Sequence, residues 1–249
     1  MELLDQFNLV SIDALNQKNL LSNRQDRKFV LSAKALPEIL NACLAEYDVL
    51  EIAGIRNFKY KTNYYDTLDF HMYHEHQRGK QNRCKIRTRV YVDSQLGFVE
   101  VKVKNNKDRT IKHRVMGMEL AAGKSVIESN TQYSIDELEQ VFELQYKRIT
   151  LLHKNKLEKV TIDTELTYTK GSHRFEIEQL IFAEVKTNDA HDITFCQIMK
   201  SMGIRNGSLS KYCLGVINFY PNIKQNSFKL SLKKIFKIPA DATNEHTGI

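Results

Sequence analysis

Charged side chains alternate with apolar ones along several short segments of the sequence. In CKIRTRVY, Lys85, Arg87 and Arg89 occupy every second position, and in FVEVKVK the same holds for Glu100 and Lys102. Because successive residues of a β-strand point to opposite faces, each segment would have one charged and one apolar face. The alternation continues at four further positions, Lys112, Arg114, Glu184 and Lys186.

Lysine and arginine dominate these charged faces, with a few carboxylates between them. A strand with a solvated polar face is common in antiparallel sheets, so alternation by itself has an ordinary structural explanation. Like charges that face one another across strands are destabilising, however, and a bound polyanion would neutralise them. The carboxylates could hold a divalent cation, Mg²⁺ or Mn²⁺, since Mg²⁺ is bound through a few carboxylates together with substrate phosphates.

The overall charge also favours an anionic partner. The 249 residues include 37 Lys and Arg against 30 Asp and Glu, a net charge of +7, and the isoelectric point is about 9.1. Nucleic acid, a phosphate-rich metabolite and a membrane surface are all compatible with this excess. Nucleic-acid binding would require exposed basic and aromatic positions. Here the cations alternate with carboxylates on strands, so we expect a small polyanion and no nucleic acid.

Apolar periodicity and turn residues predict an α+β chain. Helices are expected over 33–46, 134–146, 191–202 and 209–219, and the second begins with the capping-box sequence SIDE. If the strands close into one sheet, they form a closed antiparallel β-tunnel of about eight strands, with a charged interior and helices packed outside. The predicted strands cover 26–31, 57–66, 83–92, 97–104, 109–118, 148–153, 159–167, 173–178 and 181–187.

The cysteines and the hydropathy of the chain indicate a reducing compartment. No pair of the four cysteines has CxxC spacing, and a disulfide framework is not expected at this size. The N-terminus lacks the basic-then-apolar layout of a signal peptide. No apolar run approaches the roughly 20 residues of a transmembrane helix. A cytoplasmic location is therefore expected.

The run from Met72 to Arg114 resembles the VTC domain, the catalytic module of the vacuolar transporter chaperone polyphosphate polymerase. Its relatives form the triphosphate tunnel metalloenzyme, or CYTH-like, superfamily. The stretches NRQDRKFV, YYDT, VTIDTEL, FAEVKT and SKYCLG also agree with this family and follow in the same order along the chain. The resemblance covers about residues 20–220 and implies a closed tunnel whose basic lining holds a triphosphate or polyphosphate.

The resemblance also implies roles for individual residues. Glu184 matches the glutamate that binds the divalent metal, and Glu100 is a second acidic candidate. Lys159 stands where the family usually has arginine, which keeps the charge but loses the bidentate guanidinium fork. Catalytic contacts to the phosphates are implied for Lys28, Arg87, Arg89, Lys102, Lys112, Arg114, Arg148 and Lys211. Further phosphate-binding positions are Lys85, Lys159, Lys186 and Ser210.

The activity that the resemblance implies is an ATP-dependent polyphosphate polymerase, with ATP and polyphosphate or triphosphate as partners and Mn²⁺ or Mg²⁺ as cofactor. Phosphoryl transfer depends on positioning and charge neutralisation more than on a covalent side chain, which fits these residue types. Two alternatives remain open. The same lining would serve a triphosphate or nucleoside triphosphate hydrolase, and it would also serve a non-catalytic polyphosphate-binding protein.

The chain is expected to have three parts: an N-terminal arm or helix over 1–22, a VTC-like tunnel domain over 23–220, and a basic C-terminal helix and tail over 221–249. Five lysines lie within 224–237, where apolar residues share one helical face. Such a helix could contact a membrane surface or a partner, or it could pack on the domain as its last helix.

The histidine-rich sequence HMYHEH offers a second set of metal ligands. If this segment is helical, His71 and His74 are neighbours on one helical face, with Glu75 and His76 close by. The HExxH order of zinc peptidases is absent, however, so a solvated helix face is the simpler interpretation.

Overall fold

The computed structural model describes residues 2–18, 25–106, 110–189, 191–207, 209–230 and 232. Within these residues eleven strands form a single sheet. The strands are β1 (Leu9–Val10), β2 (Gln25–Ser32), β3 (Tyr47–Leu50), β4 (Asn57–Asp66), β5 (Arg83–Tyr91), β6 (Leu96–Lys104), β7 (Thr110–Met116), β8 (Glu139–His153), β9 (Glu158–Lys170), β10 (His173–Ile177) and β11 (Leu180–Thr187).

Eight of the strands form the main path of the sheet, in the order β2-β11-β9-β8-β4-β5-β6-β7. Every neighbouring pair on this path is antiparallel. The remaining strands are additions at its margins: β3 pairs with the C-terminal end of β8, β1 pairs in parallel with β3, and β10 pairs with β9. The α+β class and about eight main strands are confirmed.

Six α-helices accompany the sheet in the described residues. They are α1 (Ile12–Lys18), α2 (Leu36–Cys43), α3 (His71–Gln77), α4 (Lys124–Asn130), α5 (Thr194–Ser201) and α6 (Lys211–Phe219). In the described part of the chain, no helix has the length and apolar character needed to cross a membrane.

The apolar face of the sheet is the outer, convex face, and helices cover it. Helices α2 and α5 pack on β2, β9 and β11, where Ile39, Ile162 and Val185 are all 0% exposed. Burial of one such side chain contributes about 1.5–3 kcal/mol. A second apolar cluster lies under α4, where Ile127 packs with Ile86 and other residues of β5 and β6.

Helix α6 lies on the other face, at one end of the sheet. Its Tyr212 packs among Tyr64 and Phe142 at ring-centroid distances of 5.4 and 6.2 Å. The close approach needs a glycine, because a Cβ at Gly215 would lie 2.4 Å from Phe142 Cζ. Helices were expected outside the sheet only, and α6 departs from that expectation because its apolar side chains fill the end of the concave face.

The charged face is concave, since strands that are far apart in the sheet meet across it. Glu184 on β11 acts electrostatically on Lys102 of β6, although four strands separate β11 from β6. Lys28 on β2 acts in the same way on Lys85 of β5. The sheet therefore curls into a half-barrel with its charges inside.

The expected closure of the tunnel is wrong. Strands β2 and β7 are the two ends of the path and are not paired with each other in the residues that the structure describes. Both strands direct cations into the concave face, Lys28 from one side and Lys112 from the other. Like charges across a strand pair are destabilising without an anion between them, which gives a physical reason for the open edge.

The predicted helix over 134–146 is also wrong. The capping box of Ser134 and Glu137 is present, but it begins only a 3₁₀ turn, Ile135–Glu137. Strand β8 follows and runs through the predicted strand 148–153 as well. Residues of β8 bond to β4 on one side and to β9 on the other, and these two ladders outweigh a local helical pattern.

Parts of the predicted termini lie outside the described residues, namely 1 and 19–22 of the arm and 231 and 233–249 of the tail. In the described part of the tail, Phe228 and Leu232 pack against the apolar cluster that includes α6.

Candidate active site on the concave face

Three of the carboxylates on the concave face, Glu100, Asp163 and Glu184, are each held by cations, and the three differ in burial. Glu100 on β6 is 0% exposed. Its Oε2 accepts hydrogen bonds from Arg87 Nε at 2.7 Å and lies 3.8 Å from Arg89 Nη1, and Lys112 pairs with the same carboxylate. Burial alone would raise the pKa of Glu100, but these three cations outweigh burial and hold that pKa far below its ordinary value.

The second carboxylate, Asp163 on β9, fixes Arg148 of β8. Arg148 donates from Nε to Oδ1 at 2.5 Å and from Nη2 to Oδ2 at 2.7 Å, a bidentate pair, and Lys211 of α6 also pairs with Oδ2. Burial would raise the pKa of Asp163, but the two cations lower it to about 2. The Arg148 guanidinium also lies over the Tyr60 ring, 5.1 Å from its centroid.

The third carboxylate, Glu184 on β11, is the most open. Its Oε1 lies 2.6 Å from Lys28 Nζ and 2.8 Å from Lys186 Nζ, and 26% of its side chain is exposed. Asp26 lies 3.5 Å from Lys28 and 3.4 Å from Lys186, so two lysines and two carboxylates form one group. Burial opposes ionisation, but Lys186 and Lys28 hold the pKa of Glu184 well below its ordinary value.

Three lysines of the concave face stand directly opposite one another on the neighbouring strands β5, β6 and β7. Lys85 faces Lys102, and Lys102 faces Lys112. The pKa of Lys102 is held well below its ordinary value, first by the charge of Arg87, then by burial and by the charge of Arg89. Among the described residues no carboxylate forms an ion pair with Lys102. Such a row of like charges is destabilising unless an anion lies over it.

Further along the same face, beyond Arg87, two polar atoms are buried without a hydrogen-bond partner in the described structure: Arg89 Nε and Thr62 Oγ1. Thr62 is the register partner of Arg89 on the adjacent strand, so the two groups are neighbours on the same face. Buried donors of this kind normally have partners. Together with Lys102 they indicate that this part of the concave face is built for an anionic ligand.

Helix α6 contributes two of the predicted residues. Ser210 caps the helix by accepting from Cys213 N at 3.4 Å, and it also accepts from Lys85 Nζ at 2.9 Å. Burial lowers the pKa of Lys85. The cap thus sets the start of α6, where Lys211 reaches Asp163, and it holds Lys85 in the lysine row.

The structure therefore gathers most of the predicted residues on one face, and two of them lie toward its margin. Arg114 is exposed, and its guanidinium lies 4.7 Å from the centroid of the Phe98 ring. Lys159 is the register partner of Lys186. Their roles, like those of the other predicted site residues, stay predictions.

Sequence reasoning missed Asp163, Thr62 and Tyr60 as members of the site. A signal for Asp163 was present, since it follows Lys159 at the same two-residue period within the quoted stretch VTIDTEL. Thr62 and Tyr60 carry no formal charge, so a search for alternating charges passed over them.

A divalent metal fits Glu184 better than Glu100. The described residues contain no group of three or more His, Cys, Asp or Glu able to hold a metal by themselves. Glu100 is fully buried under three cations, whereas Glu184 keeps solvent access. Mg²⁺ is commonly bound by one or two carboxylates together with substrate phosphates, and Glu184 fits such a shared site.

The histidine-rich helix α3 does not form a metal group either, within the described residues. Its histidines have other partners: His71 Nδ1 lies 2.6 Å from Tyr133 Oη, and His76 Nε2 lies 3.2 Å from the carbonyl oxygen of Cys84.

A curled antiparallel sheet with a cation-lined concave face defines a fold of the triphosphate tunnel, or CYTH-like, class. The chain belongs to the VTC domain family, whose model matches residues 23–220. A similar solved structure is that of a candidate adenylate cyclase from Bacillus halodurans. It is 13% identical, with a TM-score of 0.52, and the match covers 80% of this chain and 99% of that one.

Another similar structure is that of a candidate adenylyl cyclase from Hippeastrum, described as having a dominant triphosphatase activity. It is 12% identical, with a TM-score of 0.47, and the match covers 78% of this chain and 95% of that one. No curated protein matches the sequence.

Proposed function

We propose that this protein is an ATP-dependent polyphosphate polymerase. The observation that carries the proposal is the row Lys85, Lys102 and Lys112, three facing lysines on a concave surface, with Lys102 in no ion pair among the described residues. A chain of phosphates laid along this row would neutralise charges that otherwise oppose one another. Membership of the VTC domain family supports polyphosphate as that chain.

The arginines would bind and orient the phosphates. Glu100 fixes Arg87 and lies beside Arg89, and Asp163 fixes Arg148, so the guanidiniums are held before a ligand arrives. Preorganised donors of this kind stabilise the charge that develops on the phosphoryl oxygens during transfer, without reorganisation at the moment of reaction. The buried carboxylates therefore act as positioning groups.

The proposed reaction needs no protein nucleophile. A terminal oxygen of the growing polyphosphate attacks the γ-phosphorus of ATP, the bond from γ-phosphorus to the β,γ-bridging oxygen breaks, and ADP leaves with that oxygen. Lys28 and Lys186 lie next to Glu184 and would contact the phosphates there. A divalent cation held by Glu184 and the substrate would add neutralising charge at the transferring phosphoryl group.

Hydrolysis is the second candidate activity, and the open edge of the half-barrel favours it. Because β2 and β7 are unpaired in the described residues, one side of the concave face is open to water, which could attack the γ-phosphorus in place of a phosphate chain. The same residues would bind the substrate in both reactions.

Product analysis tests both activities together. The purified protein is incubated with ATP and Mn²⁺, and long-chain polyphosphate, ADP and free phosphate are measured. Arg87→Ala should lower product formation at least a hundredfold, in line with the loss of a transition-state donor. Glu184→Gln should lower it strongly as well, because the divalent cation would lose its carboxylate ligand. The matched controls are Arg174→Ala, in an exposed ion pair, and Glu143→Gln, a half-buried carboxylate that pairs with Lys61.

The products distinguish a polymerase from a hydrolase and from a non-catalytic binding protein. Polyphosphate with ADP supports the polymerase, and free phosphate without polymer supports the hydrolase, provided that either is lost in the two site variants. If neither product forms, and polyphosphate still binds tightly to Glu184→Gln, the chain is a binding protein and the enzymatic proposal is wrong.

A further inference from the structure

Four aromatic rings form a row across neighbouring strands of the concave face. Tyr146 on β8 stacks on Tyr60 on β4 with ring centroids 5.1 Å apart and an interplanar angle of 10°. Tyr60 lies 4.9 Å from Tyr91 on β5, and Tyr91 lies 5.8 Å from Phe98 on β6. The row is therefore continuous from one strand to the next.

The two ends of the row differ in exposure. Tyr146 and Tyr60 are buried, with 4% and 8% of their surfaces exposed, whereas Tyr91 and Phe98 are half-buried. The inner rings thus serve as core, and they hold Arg148 and Arg89 over the Tyr60 ring at 5.1 and 5.6 Å. The outer rings leave aromatic surface accessible on the same side as the phosphate-binding cations.

The distance from the outer rings to those cations matches the length of a nucleotide. Along β5, Tyr91 is two residues from Arg89 and four from Arg87, which corresponds to roughly 7 and 13 Å at the rise of a β-strand. A nucleotide has a flat base at one end and phosphates at the other, and the distance from the base to the phosphates is of the same order as these separations along the strand. Arg114, over Phe98 at 4.7 Å, places one more cation between the rings and the phosphates.

We propose that the ring of Tyr91 forms a stacking platform for the base of a purine nucleoside triphosphate whose phosphates lie on Arg87, Arg89 and Lys102. Phe98 meets the Tyr91 ring edge-on, at an interplanar angle of 83°, and supports it. The inference rests on the proposed function, because it assigns the base of the nucleotide that the site would use. Stacking on aromatic rings is tolerant of base identity, since every base has a π-face, and larger purine rings offer more contact.

The platform predicts that a base adds affinity beyond that of the phosphates. Calorimetry with Mg²⁺ would compare two unreactive ligands, β,γ-imido-ATP and inorganic tripolyphosphate, on the full chain. Tyr91→Leu and Phe98→Leu keep an apolar side chain but remove the ring. Tyr91→Leu should weaken binding of the ATP analogue about tenfold and change tripolyphosphate binding less than twofold. Phe98→Leu should weaken binding of the analogue less than Tyr91→Leu does, because Phe98 only supports the Tyr91 ring. Tyr65→Leu, a half-buried tyrosine of β4 on the convex face, is the matched control and should change neither.

Comparing the two ligands distinguishes failure of the stacking platform from failure of the phosphate site. If Tyr91→Leu binds both ligands as the wild type does, or loses both equally, the platform is overturned while the phosphate site stands. Equal loss would mean that the rings only support the sheet. If the wild-type protein binds neither ligand, the proposed function itself fails, and the platform fails with it.

Discussion

The carboxylates Glu100 and Glu184 occupy the same concave face and are both surrounded by cations, yet their settings differ. Glu100 is 0% exposed and lies under Arg87, Arg89 and Lys112. Glu184 is 26% exposed and pairs with Lys28, which is itself 44% exposed. Similar charges thus form a closed group on β5, β6 and β7 and an open group on β2 and β11.

The difference in burial indicates that the two charged groups have different roles. A closed group fixes arginines in place, because removing its anion would leave buried cations uncompensated. An open group contributes little to stability, since solvent screens it, and its members remain able to exchange one partner for another. We infer that Glu100 organises the site, whereas Glu184 meets the metal and the substrate.

The largest expected effect is on the closed group. Glu100→Gln should lower the free energy of unfolding by about 3–5 kcal/mol, because it leaves three cations without their anion. Urea denaturation would measure this loss, with Glu184→Gln as the comparison, for which a change within about 1 kcal/mol is expected. Equal losses in the two variants would contradict the distinction between the groups.

Replacing Arg148 tests the second buried pair. Arg148→Lys removes the bidentate contact to Asp163 while it keeps the charge, and should cost about 1.5–3 kcal/mol of stability. Arg174→Lys changes an arginine that is 63% exposed and should cost far less. The pairing would be unimportant for folding if thermal or urea unfolding gave the same value for both variants.

The pH dependence of stability should show the contribution of Asp163. Its pKa falls from 3.8 to about 2 in the folded protein, so its stabilisation is present above pH 4 and is lost as the pH falls toward 2. The loss is about 2 kcal/mol. Urea unfolding at several pH values would show a shallower decline for Asp163→Asn than for the wild type, and parallel curves would count against this assignment.

The smallest effect on stability is expected in the open group. Lys28→Met should change the free energy of unfolding by less than about 1 kcal/mol. Its effect should instead be on ligand binding, with tripolyphosphate affinity falling about fivefold. Calorimetry would measure the affinity. A large loss of stability without a change in affinity would place Lys28 with the structural cations instead.

The strands that could be predicted are those whose alternation is regular. Strand β4 begins and ends where the sequence indicated, at Asn57 and Asp66, because polar and apolar residues alternate along it. Strand β8 was missed over its first half, since its pairing with β4 and β9 depends on residues distant in sequence. Strand β3 and helix α4 are short and gave no clear local signal.

The candidate site shows the same limit. Alternation places Arg87 and Glu100 on one face, and the sheet register pairs them directly. Alternation does not report burial, however, so Glu100 and Glu184 looked alike as metal ligands in the sequence. Both lie one strand from an end of the path, but their neighbours differ: Glu100 has cations on both adjacent strands, whereas Glu184 faces Lys28 on β2 and the uncharged Thr161 on β9.

The open edge of the sheet also has a topological consequence. In the part of the chain that the structure describes, β2 and β7 share no ladder, so the concave face is a trough rather than a ring. A ring admits a linear polymer only by its end, and a long chain must then be threaded through it. A trough can receive a polymer sideways at any point along its length and release it in the same way, however long the chain has grown.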